Sequence, residues 1–226
     1  MRRSAWGLTA TLAAWALLFW WLLLSARWSL YLSTRTAWVV PVGAAILTIA
    51  AAGSVLVHRP AAPRDVRDLA VVVLPVVVVL ALPPAALGSF AAGRRSSFAG
   101  ANVAGSAEGL TDGTISLVDL AGAQQTPEGR HALAAHAGER VTFTGFVTRG
   151  PSTPADEFDL TRFIVACCVA DALSVQVRVV GTVPGRFETD AWVRVTGLLY
   201  PLGSQAVVQA ERVDEIPRPD DPYLTP

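Results

Sequence analysis

Three runs without a charged side chain constrain this sequence more than any other feature: Ser4–Ala26, Thr36–Val57 and Leu69–Gly93, of 23, 22 and 25 residues. A helix crossing a bilayer core needs about 20 predominantly apolar residues. Each run therefore predicts a membrane span, placed at 5–25, 37–57 and 69–90. Arg2 and Arg3 precede the first run as they would a signal peptide, but its apolar region exceeds the roughly 7–15 residues of such segments. No small-x-small cleavage site follows, so the run reads as a retained span. Six of the seven Trp lie in the first 38 residues, and Trp6, Trp28 and Trp38 fall near span ends, where an amphipathic ring favours the headgroup layer. Trp15, Trp20 and Trp21 fit lipid-facing bulk or helix packing. Pro75, Pro83 and Pro84 predict kinks in the Val-rich third run, of a kind that ordinary helix packing accommodates. No titratable side chain lies inside any run, which argues against an intramembrane proton relay or ion-coordinating carboxylate.

Composition supports the division. The chain is 52% hydrophobic and 16% charged, with a mean hydropathy of +0.45, beyond what one water-facing core requires. Residues 1–100 carry nine Arg and two Asp, and residues 101–226 carry nine Arg and sixteen Asp or Glu, so net charges of +7 and −7 cancel. The acidic half argues against nucleic acid as a partner, since phosphates need a positive surface. All eighteen cations are Arg, which fits a GC-rich bacterial coding bias. Arg2, Arg3, Arg59, Arg64 and Arg67 fall on one side of the three spans, and Arg27, Arg35, Arg94 and Arg95 on the other. Five against four places the N-terminus in the cytoplasm and the C-terminal half outside it.

After the spans (1–90), residues 91–113 are rich in Gly, Ala and Ser and read as a flexible linker. Residues 114–216 then read as a small all-β domain. Thr114–Leu120 suggests a short strand and Glu128–Ala137 a helix, after which alternation takes over: Val141, Phe143 and Gly145, then Phe158–Val165, then Val175, Val177 and Val179. Ala191–Tyr200 and Gln205–Val213 complete five strands separated by turns such as Gly150-Pro151 and Pro184-Gly185. Five short strands suit an OB-like barrel, a statement about fold alone. Residues 217–226 form a Pro-rich tail.

The local sequence with most chemical content is Arg162-Phe163-Ile164-Val165-Ala166-Cys167-Cys168-Val169-Ala170-Asp171-Ala172, at a strand end and the following turn. The only two Cys are adjacent, so no disulfide framework can be built from them. Thiolates bind thiophilic metals such as Zn, with Asp171 as an oxygen ligand, or they act as redox nucleophiles. Alternatively both thiols are small apolar fillers and Asp171 caps a turn. Adjacent strand residues face opposite ways, so both sulfurs reach one ion only if the chain bends there.

This sequence resembles the YcgQ-type family of membrane proteins, described as permease subunits and as a domain of unknown function. The resemblance rests on the multispan N-terminus, Leu82-Pro83-Pro84 with Leu87-Gly88, Gly145-Phe146-Val147, and Arg162-Phe163 through Cys167-Cys168-Val169-Ala170-Asp171-Ala172. It extends through Trp192-Val193-Arg194-Val195-Thr196-Gly197 and Pro219-Asp220-Asp221-Pro222-Tyr223. It implies a larger multispan permease as partner, and leaves substrate and mechanism open.

Other candidate residues carry less. His131 and His136 are five apart, on different faces of a helix, and do not form a His-Glu-x-x-His site. His58 sits beside Arg59 at a span boundary, and Asp156, Glu157 and Asp159 read as a solvated acidic turn. No Ser–His–Asp order, Walker glycine loop or dinucleotide fingerprint can be assigned, which excludes an ATP-driven pump and leaves no catalytic residue to name. Three functions remain: a non-enzymatic permease subunit whose outer domain gates or presents a ligand, a membrane-tethered metal or thiol-redox protein acting through Cys167 and Cys168, and a structural envelope protein.

Overall fold

The structure, a computed structural model, describes residues 3–56, 66–81, 86–94, 115–202 and 205–225. The chain divides into two compact units, Met1–Ala85 and Ala86–Pro226. His58, Pro83, Pro84 and nearly all of the expected linker lie outside the described residues.

The first unit is helical: α1 (Arg3–Leu24), α2 (Val39–Leu56) and α3 (Val66–Ala81), with α1 packed against both others. Small residues let the helices approach closely. A Cβ at Gly43 would lie 2.6 Å from the Phe19 ring. Polar side chains of this unit link its helices. Trp15 Nε1 donates to the Val72 carbonyl at 3.1 Å, Trp20 Nε1 donates to Thr48 Oγ1 at 3.1 Å, and the Thr9 and Ser54 hydroxyls lie 2.8 Å apart. Trp15 and Trp20 thus each tie α1 to a neighbouring helix by a hydrogen bond, while Trp20 stays exposed.

The expectation of three spans needs correction. Among the described residues one helix, Thr34–Leu56, is long and apolar enough to cross a membrane; Thr9–Leu24 and Ala70–Ala81 are shorter. A charge-free run is not a continuous helix. The third run is not one helix, since residues 86–88 are non-helical, and the apolar part of α3 that is described, Ala70–Ala81, is shorter than the roughly 20 residues a bilayer core needs.

The second unit is a closed five-stranded β-barrel. Its strands are β1 (Arg140–Thr148), β2 (Phe158–Ile164), β3 (Leu173–Val180), β4 (Trp192–Leu202) and β5 (Gln205–Glu215). The hydrogen-bonded order is β1-β4-β5-β3-β2, and β2 returns to β1 through the pairs Phe146–Thr161, Val147–Leu160 and Thr148–Asp159. All of these pairings are antiparallel except β3 with β5. Closure needs two positions without a side chain: a Cβ at Gly145 would sit 2.7 Å from the Thr161 carbonyl oxygen, and one at Gly197, where β4 is bulged, would strike the Gln209 carbonyl. The alternating residues Val141, Phe143, Phe158, Leu160, Val175, Val177, Val179, Val193 and Val195 fill the core.

Two short helices cover part of this core. The strand expected at Thr114–Leu120 is instead helix α5, which follows α4 (Ser89–Ala92) and runs from Leu117 to Ala123. Ser116 and Asp119 form a capping box: Ser116 Oγ accepts from the Asp119 N–H at 3.1 Å, and Asp119 Oδ2 accepts from the Ser116 N–H at 3.1 Å. That reciprocal cap overrides the short apolar run. Helix α6 (Pro127–Ala134) begins at Thr126, whose Oγ1 accepts from the Gly129 N–H. The Pro-rich C-terminal segment contains a sixth strand, β6 (Tyr223–Leu224), parallel to β2 through Phe163–Tyr223 and Ile164–Leu224.

Candidate functional site

Adjacent residues of a strand face opposite sides of the sheet, so Phe146 and Phe163 turn away from the core that Val147 and Ile164 enter. They begin a second apolar cluster with Ala92, Val165, Ala172 and Tyr223, flanked by Leu87, Ala91, Val169 and Trp192. The Phe146 and Phe163 rings stack with centroids 5.8 Å apart, and Trp192 tilts against Phe146 at 5.7 Å. Three segments distant in sequence meet here.

The first is the chain just before the barrel. The Leu87 N–H donates to Tyr223 Oη at 3.2 Å, and Asp190 accepts from the Ser89 N–H at 2.6 Å and the Ser89 hydroxyl at 2.8 Å. Asp190 holds φ at +70°, a left-handed backbone that non-glycine residues rarely adopt. The second segment is the C-terminus. Arg162 donates through Nε to the Pro222 carbonyl at 3.2 Å and through Nη2 to the Asp221 carbonyl at 2.8 Å, and its guanidinium lies 5.7 Å from the Trp192 ring centre. Burial lowers the Arg162 pKa from its ordinary value, and Asp221 opposes that effect. The roles of Asp190 and Tyr223 were missed from sequence; the terminal Pro-Asp-Asp-Pro-Tyr string was the available signal.

The third segment is the Cys turn. β2 ends at Ile164, the chain bends through Ala166–Cys168, and a 3₁₀ turn spans Val169–Asp171. The Asp171 carboxylate organises the bend. Its Oδ1 accepts from the Ala166 N–H at 3.0 Å, and its Oδ2 accepts from the N–H groups of Cys167 at 2.8 Å and Cys168 at 3.2 Å. The Asp171 N–H in turn donates to the Cys168 carbonyl at 2.9 Å. Leaving the strand removes the obstacle that adjacent side chains oppose each other. One ligand atom from each of Cys167, Cys168 and Asp171 lies within 4.8 Å of the others. Cys167 is exposed, Cys168 is half-buried, and neither is in a disulfide. Behind them, Val169 and Ala172 reach into the second cluster. Ala170 is exposed within the turn.

Desolvation, the neighbouring Cys168 and the Asp171 charge all raise the Cys167 pKa above its ordinary value. Alkylation of Cys167 by iodoacetamide is therefore expected to accelerate at a higher pH than that of an unperturbed thiol. Asp171→Asn, which removes a negative charge, is expected to move that profile downward. A rate–pH profile by mass spectrometry checks this, and a profile centred below an ordinary thiol contradicts it.

The other candidates do not join this site. Among the described residues the one group of His, Cys and carboxylates near enough to share an ion is Cys167, Cys168 and Asp171, without His131 or His136. His136 Nδ1 lies 2.9 Å from Glu139 Oε2. In the acidic turn, Glu157 and Asp159 pair with Arg178 at 3.1 and 2.6 Å, while the Asp156 carbonyl accepts from Thr182. Burial works against the Arg178 charge, but hydrogen bonds to Asp159 and Glu157 outweigh it and raise its pKa. That turn is an ion-paired loop.

No curated protein matches the chain. A family model does: the one described as the DUF1980 C-terminal domain matches residues 108–226, more than half of the sequence.

Proposed function

Because the chain belongs to the DUF1980 family, which is the YcgQ-type family and a domain of unknown function, we propose that it is a membrane-anchored, non-enzymatic accessory subunit of a multispan permease. One observation carries the reading. The apolar helix Thr34–Leu56 has only 11% of its most apolar stretch buried, and Val42, Ile46, Ile49, Val55 and Leu56 are exposed along it. A core helix of a soluble protein hides such a surface, whereas this one requires lipid or partner helices. The family resemblance supplies the permease as that partner. The barrel's closed order, with β3 parallel to β5, supports an OB-type fold; in this reading that domain gates the permease or presents a ligand outside the cytoplasm.

Retention of the chain in membranes after an alkaline carbonate wash, together with activity of a periplasmic-type reporter fused after Pro226, is the expected outcome. Release by carbonate contradicts the anchor, and reporter activity confined to the cytoplasm reverses the orientation taken from the five-to-four Arg count.

A second reading, a metal-handling protein acting through Cys167 and Cys168, is favoured by the convergence of the two sulfurs and Asp171. The two readings are compatible if the presented ligand is a metal ion.

A further inference from the structure

Building on the metal-handling reading, we propose that Cys167, Cys168 and Asp171 form an open, exchange-competent site for a thiophilic ion such as Zn²⁺, in which both sulfurs and one remaining carboxylate direction bind while the rest of the carboxylate holds the turn. The division of labour follows from the hydrogen bonds. Oδ2 of Asp171 already accepts two N–H groups and Oδ1 one. A carboxylate oxygen has about two acceptor directions, so one direction on Oδ1 remains. The chain thus offers the ion two thiolates and one carboxylate oxygen.

Size is compatible with this set. Zn–S bonds of about 2.3 Å place two sulfurs of a tetrahedral ion about 3.8 Å apart, and the three ligand atoms already lie within 4.8 Å of one another. Small rotations of the exposed Cys167 and half-buried Cys168 side chains close the difference, because the backbone beneath them is fixed by Asp171. On binding, two metal–sulfur bonds form, both S–H protons leave to solvent, and the ion sheds water molecules.

Three protein donors leave a tetrahedral ion one open position, the pattern of a site that exchanges ligands, since structural zinc sites close with four. The exposure of Cys167 places that position toward solvent. An ion held there can be passed to an incoming donor without the barrel unfolding.

The test uses the intact chain in detergent, reduced and stripped of metal, titrated with Co²⁺ and with Zn²⁺ against a chromophoric chelator. The expected result is one ion per chain, with thiolate-to-cobalt charge transfer of two sulfurs. Cys167→Ser and Cys168→Ser should each abolish stoichiometric binding, and any charge-transfer band that returns in excess Co²⁺ should be that of one sulfur. Asp171→Asn should retain the two-sulfur band while affinity falls roughly 10–100-fold, as for a group that orients ligands. Added imidazole should shift the cobalt spectrum without expelling the ion. A charge-transfer band that is absent, or unchanged in both Ser variants, overturns the site and the metal-handling reading together. A spectrum indifferent to imidazole, with an ion that resists the chelator, overturns the open site and leaves metal handling standing.

Discussion

Phe163→Ala is expected to cost the barrel unit about 3–5 kcal/mol, the range for removing a fully buried aromatic side chain. Phe163 is 1% exposed and stacks on Phe146, in one cluster with Ala92, Val165, Ala172 and Tyr223. Its loss opens a void directly beneath the Cys turn and beside the β6 pairing with Tyr223. Two readouts are expected to move together in the intact chain. Pulse proteolysis should show a lower denaturant midpoint, and alkylation of Cys167 and Cys168 should quicken. Phe158→Ala makes the control: Phe158 is buried in the barrel core with the Phe187 ring 6.1 Å away. It should lose comparable stability and leave native-state alkylation unchanged. Equal acceleration in both variants would contradict the link between the second cluster and the Cys turn.

The barrel was legible because each strand is a solvent-to-core alternation, and Val175, Val177 and Val179 say as much in sequence as in structure. The second cluster was not. Its members Phe146 and Phe163 sit at positions that a simple inside-outside pattern assigns to solvent, and their cover comes from residues 87–92 and 223, which no local window connects. The helix at Leu117–Ala123 was mistaken for a strand because apolar spacing outweighed the Ser116–Asp119 cap. At the Cys turn, residue identity was readable and geometry was not: Asp171 was expected as a ligand or a cap, and only the three N–H bonds it accepts show it organising the bend. For the helical unit the sequence reading erred in the opposite direction. Absence of charge is necessary for a span, but it does not say where a helix stops, and residues 86–88 inside the third charge-free run are not helical.

A second large effect is expected from charge placed on the exposed face of α2. Ile46 is 60% and Ile49 72% exposed, near the middle of Val39–Leu56. If that face meets lipid, each Arg costs about 2.5–3.5 kcal/mol on the insertion scale. Ile46→Arg combined with Ile49→Arg should therefore remove the chain from carbonate-washed membranes. On a helix facing water the same pair is a surface change, within about 0.5 kcal/mol per site, and the distribution would not move. Leu202→Arg, at an exposed residue of the barrel unit, serves as the control and should leave membrane retention intact.

The permease partnership is tested most directly by isolating the intact chain from its own membrane in mild detergent and weighing every chain that accompanies it. The account predicts one larger multispan protein in fixed ratio, retained through size-exclusion chromatography. A chain that purifies alone, or only with proteins in variable amounts, would contradict the accessory-subunit role.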